Sequence, residues 1–548
     1  MAADPDAFQR LNDSEIAALE QLGVRRSVMA GEYLYREGDA GYDFFVVLAG
    51  AVEIVVNDQG KEKVIARHDA RRFLGELNLL TGQRVYVSAR VAESGEVIAV
   101  PRDALRRLIA TDPNLSDKIL AAFLARRAIL MSGAASAIRV IGSRFSPDST
   151  RVREFLVRSR IPHEWMDPDT DIEVERTLRE FGITPQELPV VIVTGAVLRR
   201  ATPGVLAEYL GLTIGKLPDR GFDLIVVGAG PAGLAAAMYG ASEGLRTLVA
   251  EMVAVGGQAG SSSRIENYLG FPTGISGGDL TQRAAVQAQK FGASLSNPCS
   301  AVSIEQSAGN FVVRLSDGTE VPGRAVIVAT GARYRKLDAA RLEQFESRGV
   351  YYAATELEAR TCAGSPVVVA GGGNSAGQAA LFLANAGSAV TIVIRGADLA
   401  ANMSRYLVDR IEADKRIVVR RSTRITALEG DQFLTGVRVS GPSGEETLAT
   451  TALFSFIGAQ PASEWLSGFA ALDDHGFVLT DRSLAREQLG ERWERLGRSP
   501  LPFETSQPGL FAVGDVRSGS TKRVAAAVGE GSAAVSSVHA YLAFDRRA

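Results

Sequence analysis

Two glycine-rich runs carry most of the chemistry this 548-residue sequence could do. The first reads Gly228-Ala229-Gly230-Pro231-Ala232-Gly233. It follows an apolar run, Asp223 to Val227, and precedes a small-residue run, Leu234 to Glu243. Glycines at this spacing let the backbone approach a pyrophosphate, whose charge then sits at the N-terminus of the following helix. The next apolar run, Thr247 to Ala250, ends in Glu251, an acid at the distance expected for a ribose-binding carboxylate. The second run, Gly371-Gly372-Gly373-Asn374-Ser375-Ala376-Gly377, follows Val367 to Ala370. Here the next strand-like run, Ala389 to Ile394, ends in Arg395 and not in an acid. A cation there suits a 2′-phosphate, an acid a free hydroxyl. Arg405 is a candidate helper, and a solvated strand-end cation is the plain alternative for Arg395.

These residues need strand–turn–helix units to hold them, and the sequence supplies two. Leu224 to Val227 and Val367 to Val369 read as buried strands, and each glycine turn opens a helix of small residues. With Pro231 in place, the first turn leans towards FAD. Two further pieces complete the pattern. Ala325 to Gly331 (AVIVATG) is a strand ending in a tight turn at Ala329, Thr330 and Gly331. Near the end, Gly509 to Asp515 (GLFAVGD) is a strand ending in Gly514 and Asp515, which leads through Arg523 into a small-residue helix from Val524 and Ala525 to Gly531. That helix N-terminus can face a flavin, and Asp515 can accept hydrogen bonds from ribityl hydroxyls.

Together these units resemble the thioredoxin-reductase type of pyridine nucleotide-disulfide oxidoreductase over about 325 residues. Matching pieces include Gly256-Gly257-Gln258, Ile265-Glu266-Asn267-Tyr268, Gly270-Phe271, Ala329-Thr330-Gly331-Ala332 and Ile457-Gly458-Ala459. The resemblance implies FAD along Gly228, Gly230, Pro231, Ala232, Gly233, Gly257, Gln258, Asn267 and Asp515. It implies NADPH on the middle domain, at Gly371, Gly373, Asn374, Ser375, Ala376 and Arg395. NADH remains an alternative, because Gly396 follows Arg395 where the family has a second Arg. The family's Cys-Ala-Thr-Cys is missing: the sequence there reads Tyr351-Tyr352-Ala353-Ala354-Thr355-Glu356. Either one tyrosine covers the flavin face, or both are core aromatics. The two cysteines, Cys299 and Cys362, have no partner at redox or zinc spacing and read as buried thiols, so no metal site is expected.

Two modules precede this part. Gly31 to Val56 reads as strands broken at Glu37-Gly38-Asp39 and Ala49-Gly50, followed by Phe73-Leu74-Gly75-Glu76-Leu77 and a helix from Arg102 through about Met131. This resembles a cyclic-nucleotide-binding domain, in which the Glu, here Glu76, holds the ribose and an Arg neutralises the phosphate. Val85 and Tyr86 stand where that family has an Arg and a small residue, and Arg84 comes one residue early. A cyclic nucleotide is therefore a doubtful ligand, and packing or dimerisation is the first expectation. In the second module, Ala137 to Gly142, a helix from Ser149 to Ser159, His163 to Met166 and Leu188-Pro189-Val190-Val191 resemble a glutaredoxin. Ser146-Pro147-Asp148-Ser149 replaces the Cys-Pro-x-Cys motif, so thiol exchange is lost and a docking role is left. Ser149 reads as a helix N-cap, and the resemblance implies a cis Leu188–Pro189 bond.

The expected fold is multidomain α/β, with two nested Rossmann-like domains behind a β-barrel and a thioredoxin-like domain. The expected boundaries are 1–132, 137–213, 220–339, 340–458 and 459–548. The net charge of −3 excludes a basic field that recruits nucleic acid. No apolar run is long enough for a membrane span, and Met1 to Arg10 has no signal pattern, so the cytoplasm is the expected location. The expected activity passes electrons from NAD(P)H through FAD to an external acceptor: a quinone, a ferredoxin or flavodoxin, oxygen, or a thioredoxin-like protein. Ferredoxin–NADP reductases of this fold also lack the cysteine pair. No catalytic side chain is assigned, because hydride transfer needs proximity and orientation more than an acid or base. The alternatives are a slow redox or nucleotide sensor and a reductase acting directly on an external disulfide. The resemblance also implies a homodimer.

Overall fold

A computed structural model describes residues 5–58, 61–132, 138–170, 172–193, 196–215, 217–262, 264–307, 309–346, 349–352, 354, 356–431 and 433–545. Met1, Ala137, Ala353 and Thr355, named above, lie outside the described residues, as does the side chain of Glu356.

The chain begins with α1 (Asp13–Glu20), β1 (Val24–Val28), β2 (Tyr33–Tyr35), β3 (Phe44–Asp58), β4 (Lys61–Asp69), β5 (Phe73–Leu74), α2 (Asn78–Thr81), β6 (Ser88–Val100), α3 (Arg102–Thr111) and α4 (Pro113–Ser132). Next come β7 (Arg139–Ile141), α5 (Pro147–Arg158), β8 (Glu164–Met166), α6 (Ile172–Glu180), β9 (Val190–Val193), β10 (Ala196–Leu198) and α7 (Pro203–Leu210). They are followed by β11 (Phe222–Val227), α8 (Pro231–Ser242), β12 (Thr247–Ala250), α9 (Gly257–Gly260), α10 (Gly277–Lys290) and β13 (Ser294–Ser296). Then come β14 (Ala301–Ser307), β15 (Asn310–Leu315), β16 (Glu320–Val328), β17 (Ala332–Tyr334), α11 (Leu342–Phe345), β18 (Val350–Tyr351) and α12 (Glu356–Cys362). The second glycine turn lies between β19 (Pro366–Ala370) and α13 (Asn374–Asn385), ahead of β20 (Ala389–Val393), α14 (Arg405–Ala413) and β21 (Ile417–Arg420). The chain closes with β22 (Arg424–Gly430), β23 (Leu434–Gly441), β24 (Gly444–Ala449), β25 (Ala452–Ser455), β26 (Ala459–Pro461), α15 (Glu491–Leu496), β27 (Leu510–Ala512) and α16 (Val524–Asp545).

The chain divides into two compact units. One comprises 1–221, 240–254 and 285–300 and carries both front modules. Its first sheet runs β1-β6-β3-β4, with β2 on β6 and β5 on β3. Among the described residues no pairing joins β1 to β4, so the expected barrel is an open six-stranded sheet. The expected single helix from Arg102 is two, α3 and α4. Pro113 has no N–H to continue the ladder and holds Asp112 extended (φ −111°, ψ 102°). The second module is a sheet in the order β10-β9-β7-β8, with the Leu188–Pro189 peptide cis. All four residues of β9 are buried, as a central strand covered on both faces requires. The cap of α5 is Ser146, whose Oγ accepts from the Ser149 N–H at 3.4 Å; the hydroxyl of Ser149 is buried, without a hydrogen-bond partner among the described residues. Pro147 starts the helix two residues earlier than Ser149, which moves the cap to Ser146 and corrects the expected cap.

The other unit comprises 222–239, 255–284 and 301–548. In it β11 and β27 flank β16, both parallel to it, and β15 and β14 extend from β16 antiparallel. A second parallel sheet runs β18-β25-β19-β20-β21, with a β22-β23-β24 ribbon beside it. The segment before β27 turns on Glu504, which is fully buried. Its carboxylate accepts from Nη1 and Nη2 of Arg498, at 2.6 and 2.9 Å, and from the N–H groups of Leu501 and Gly509. Among the described residues no helix is long and apolar enough to cross a membrane.

Candidate functional site

The first glycine turn starts where β11 ends. Gly228 has φ +106°, and a methyl group on it would lie 2.4 Å from the Ala329 carbonyl oxygen. A methyl on Gly233 would lie 1.9 Å from the carbonyl oxygen of Gly228, so this glycine lets α8 pack against the turn. Gly230 differs: the nearest atom to a methyl there is the Gly257 Cα, 4.0 Å away. Its space is open, as close approach of a ligand to the backbone needs. Pro231 starts α8, where its missing N–H costs nothing. The Gly256 N–H donates to the Ala229 carbonyl at 2.8 Å and brings Gly257 (φ +53°) against Gly230. The Gln258 side-chain amide donates to the Ala332 carbonyl, and Asn267 is exposed. The turn after β16 is fixed by Ala329 N–H to Val227 O (2.8 Å), Thr330 Oγ1 to Ala462 O (2.7 Å) and Ala462 N–H to Gly331 O (3.0 Å). Glu251 falls in the first unit, buried at the end of β12, where its carboxylate accepts the Val253 N–H at 3.0 Å.

Beyond β27, Gly514 (φ +71°) donates its N–H to the carboxylate of Glu530 at 2.7 Å. Arg517 binds the same carboxylate through Nη2 (2.6 Å) and Nε (3.2 Å). Asp515 is half-buried, and among the described residues its carboxylate has no hydrogen-bond partner. Burial raises its pKa above the ordinary value; Lys522 opposes this and Glu530 adds to it. Lys522 itself donates to the Asp515 carbonyl at 2.6 Å. Arg523 and Ala525 are exposed and Val524 half-buried at the start of α16, where the first-turn N–H groups have no intrahelical acceptor. A methyl on Gly531 would lie 2.0 Å from the Ala232 carbonyl oxygen, so α16 and α8 touch through their backbones.

The second turn repeats the design. Gly371 (φ +134°) sits against the Phe456 carbonyl oxygen, 2.3 Å from a methyl at that position. Gly373 is open, with its nearest atom 3.9 Å away. Gly377 lies under the sulfur of Met403, at 2.7 Å from a methyl there. The Asn374 side-chain oxygen Oδ1 accepts the Ser404 N–H at 2.7 Å, Ala376 is buried and Ser375 is exposed. Arg395 is exposed just after β20, and among the described residues its side chain has no ion pair. Arg405 is exposed on the first turn of α14 and pairs with Asp409 at 2.8 Å.

The family model described as pyridine nucleotide-disulphide oxidoreductase matches residues 222–531. The chain belongs to this family. A second model, the cyclic nucleotide-binding domain, matches residues 25–112. The thioredoxin reductase of Streptomyces clavuligerus is 34% identical over 329 residues, which span 59% of this chain and 94% of that protein. The thioredoxin reductase of Mycolicibacterium smegmatis is 35% identical over 329 residues, 59% of this chain and 96% of that protein. Among solved structures, Lactococcus lactis thioredoxin reductase is 28% identical with a TM-score of 0.52, covering 59% of this chain and 99% of that one.

Within this pyridine nucleotide-disulphide oxidoreductase, the cysteines sit apart in the chain. Cys299 is buried, with its N–H donating to the Glu251 carbonyl at 2.6 Å. Cys362 ends α12, buried, and burial pushes its thiol up to about 11. Tyr351 packs beside Phe454, with ring centroids 5.3 Å apart, in the core of the second parallel sheet. The Tyr352 hydroxyl donates to Glu346 at 2.7 Å. Both rings thus have partners within the surrounding framework. Sequence reasoning missed Glu530 and Met403. The run Val528-Gly529-Glu530-Gly531 held the signal for Glu530: one acid on a helix face otherwise made of small residues.

Proposed function

We propose that the chain is an FAD-dependent NAD(P)H oxidoreductase of thioredoxin-reductase type that passes electrons to an acceptor outside itself. When bound, FAD supplies the two-electron carrier between nicotinamide and acceptor. The residues fit that cofactor: Gly230 leaves its backbone face open, and Asp515 offers a half-buried carboxylate with no protein partner among the described residues. The pyrophosphate lies along Gly228 to Gly233 at the N-terminus of α8, where the helix dipole favours its charge. Asp515 accepts from ribityl hydroxyls, and the free amides of Val524 and Ala525 face the flavin. Gly257, Gln258, Asn267, Ala329, Thr330 and Gly331 frame the cofactor. Gly371, Gly373, Asn374, Ser375 and Ala376 take the second dinucleotide through backbone groups. Arg395 meets the 2′-phosphate and so favours NADPH over NADH. Arg405 supports it only by exchanging its bond to Asp409.

One observation carries the external acceptor: the chain has only Cys299 and Cys362, both buried, with no thiol at thiolate-forming spacing. Electrons thus leave without an internal dithiol. The relatives' name, thioredoxin reductase, makes a thioredoxin-like disulfide one acceptor to test, beside a quinone, a ferredoxin or flavodoxin, and oxygen. A cytoplasmic location and a homodimer accompany this reading.

Stopped-flow reduction with NADPH and NADH, followed by reoxidation with each acceptor, tests it. Fast bleaching by NADPH with fast reoxidation by one acceptor is expected. Bleaching with no competent acceptor would leave a sensor, and no bleaching would sink the second dinucleotide site.

A further inference from the structure

The front modules meet through a short segment. Arg84 uses its Nε on the carbonyl of Tyr209 at 2.6 Å and its backbone N–H on the carbonyl of Leu210 at 3.1 Å. Those are the last carbonyls of α7, which no N–H of its own helix can reach. The guanidinium lies 4.8 Å from the Tyr209 ring and also donates to the Gly38 carbonyl at 2.7 Å. A cation at a helix C-terminus is favoured by the helix dipole. Gly211 follows α7 with φ +73°, and a methyl on it would lie 3.0 Å from the Gly82 carbonyl oxygen. Tyr86, 6% exposed, packs into the core of the second module with Val140, Leu206 and Leu210. Val85, between these two, turns inward to the core of its own sheet.

The segment is also held from behind. Arg127 on α4 is buried and binds the carboxylate of Glu76 and the side-chain oxygen of Asn78. The Asn78 amide in turn donates to the Arg84 carbonyl at 2.6 Å. Glu76, buried and ion-paired, also accepts the Asn78 N–H at 3.0 Å. A polar path therefore runs from α4 through Glu76, Asn78 and Arg84 to the end of α7, with Arg127 and Glu76 paired to each other and the Arg84 guanidinium engaged by the carbonyls of Tyr209 and Gly38.

We propose that residues 82–87 form a built-in docking surface whose partner is the C-terminal end of α7, and that the first module holds its neighbour in place of a cyclic nucleotide. The segment that would accept a phosphate instead caps a helix, and the carboxylate that would meet a ribose is neutralised inside the protein. This goes beyond the redox reading and does not depend on it.

Isothermal titration of the full chain with 3′,5′-cyclic AMP and with 3′,5′-cyclic GMP tests the ligand half. No saturable heat is expected up to about 1 mM; a Kd in the micromolar range for either overturns the proposal. Hydrogen exchange of the Arg84→Ala chain tests the docking half. Amides of 204–212 are expected to exchange about tenfold faster or more, with those of 44–56 unchanged. Unchanged protection in 204–212 overturns it. If Arg84→Ala unfolds the first module, Arg84→Lys, which keeps the charge and loses the fork, is read in the same way.

Discussion

Gly230 and Gly233 lie three residues apart in one turn, yet they fail for opposite reasons when given a methyl group. At Gly233 the methyl would lie 1.9 Å from a backbone oxygen, about 1.5 Å short of the 3.4 Å at which ordinary contact begins. A backbone atom cannot rotate away, so α8 must lift off β11. Overpacking of this kind costs about 3 kcal/mol at the upper end of its range. For the unit of roughly 300 residues that holds the turn, at about 2.1 cal/mol/K of unfolding entropy per residue, the melting temperature should fall by roughly 5 °C. At Gly230 the nearest atom is 4.0 Å from the methyl, and the φ angle is ordinary for an L-residue. The Gly230→Ala apoprotein should melt as the parent does, or higher by up to about 1 kcal/mol of stability. The same methyl stands where a pyrophosphate would approach, and losing one or two charge-assisted hydrogen bonds weakens FAD by about 10- to 100-fold. The assay is paired: thermal unfolding of the apoproteins, and flavin absorbance relative to protein absorbance after titration with FAD. Normal FAD affinity in Gly230→Ala refutes the pyrophosphate assignment. A normal melting temperature in Gly233→Ala refutes the packing argument.

Arg395→Ala should raise the KM for NADPH about tenfold and leave that for NADH within about twofold, measured by initial rates with a dye acceptor; equal effects on both would remove the 2′-phosphate contact. Burial raises the folded pKa of Asp515 above its ordinary value near 3.9, so its contribution to stability is full below that value and is lost as pH climbs through the folded pKa. Asp515→Asn apoprotein should thus melt no lower than the parent at neutral pH, lose that margin near pH 4, and still bind FAD about tenfold more weakly; a lower melting temperature at neutral pH contradicts this. Glu504→Ala, which strands Arg498 and two N–H groups, should cost about 3–5 kcal/mol by chemical denaturation, and a change under about 1 kcal/mol would show that water replaces the carboxylate. A chain with both Cys299→Ser and Cys362→Ser should keep its NADPH oxidation rate; loss of turnover with folding intact would mean that a buried thiol takes part.

The glycine turns were legible because a missing Cβ is a backbone statement written in the sequence itself. Gly228, Gly233 and Gly371 each sit against a carbonyl oxygen that no other residue type would tolerate. The strand-end position of Arg395 followed from the apolar run before it. Other features depend on partners far along the chain. Nothing near Glu76 announces Arg127, which reaches it from another helix, and nothing near Gly514 announces Glu530. The open sheet could not be told from a barrel, because closure depends on which edge strands pair. One misreading was avoidable: Pro113 marks the break between α3 and α4. The four-residue spacing of Arg405 and Asp409 likewise marks their ion pair. The stretch around Arg498 and Glu504 gave no reading, since its order comes from one buried carboxylate.

The parallel pairing of β27 with β16 sets a schedule for biosynthesis. Val326 to Val328 leave the ribosome long before Leu510 to Ala512, their neighbours in the sheet. At about 5–20 residues per second, the gap is on the order of ten seconds or more. Through that interval the newborn chain carries the first glycine turn with one flank of β16 bare and with Asp515 and α16 still unmade. A nascent polypeptide can form the β19–β20 unit early, from neighbours in sequence, whereas the β11–β16–β27 layer waits for its last strand. Premature stop codons between Val328 and Leu510 therefore leave an exposed parallel edge, the kind of surface that chaperones and proteases act on.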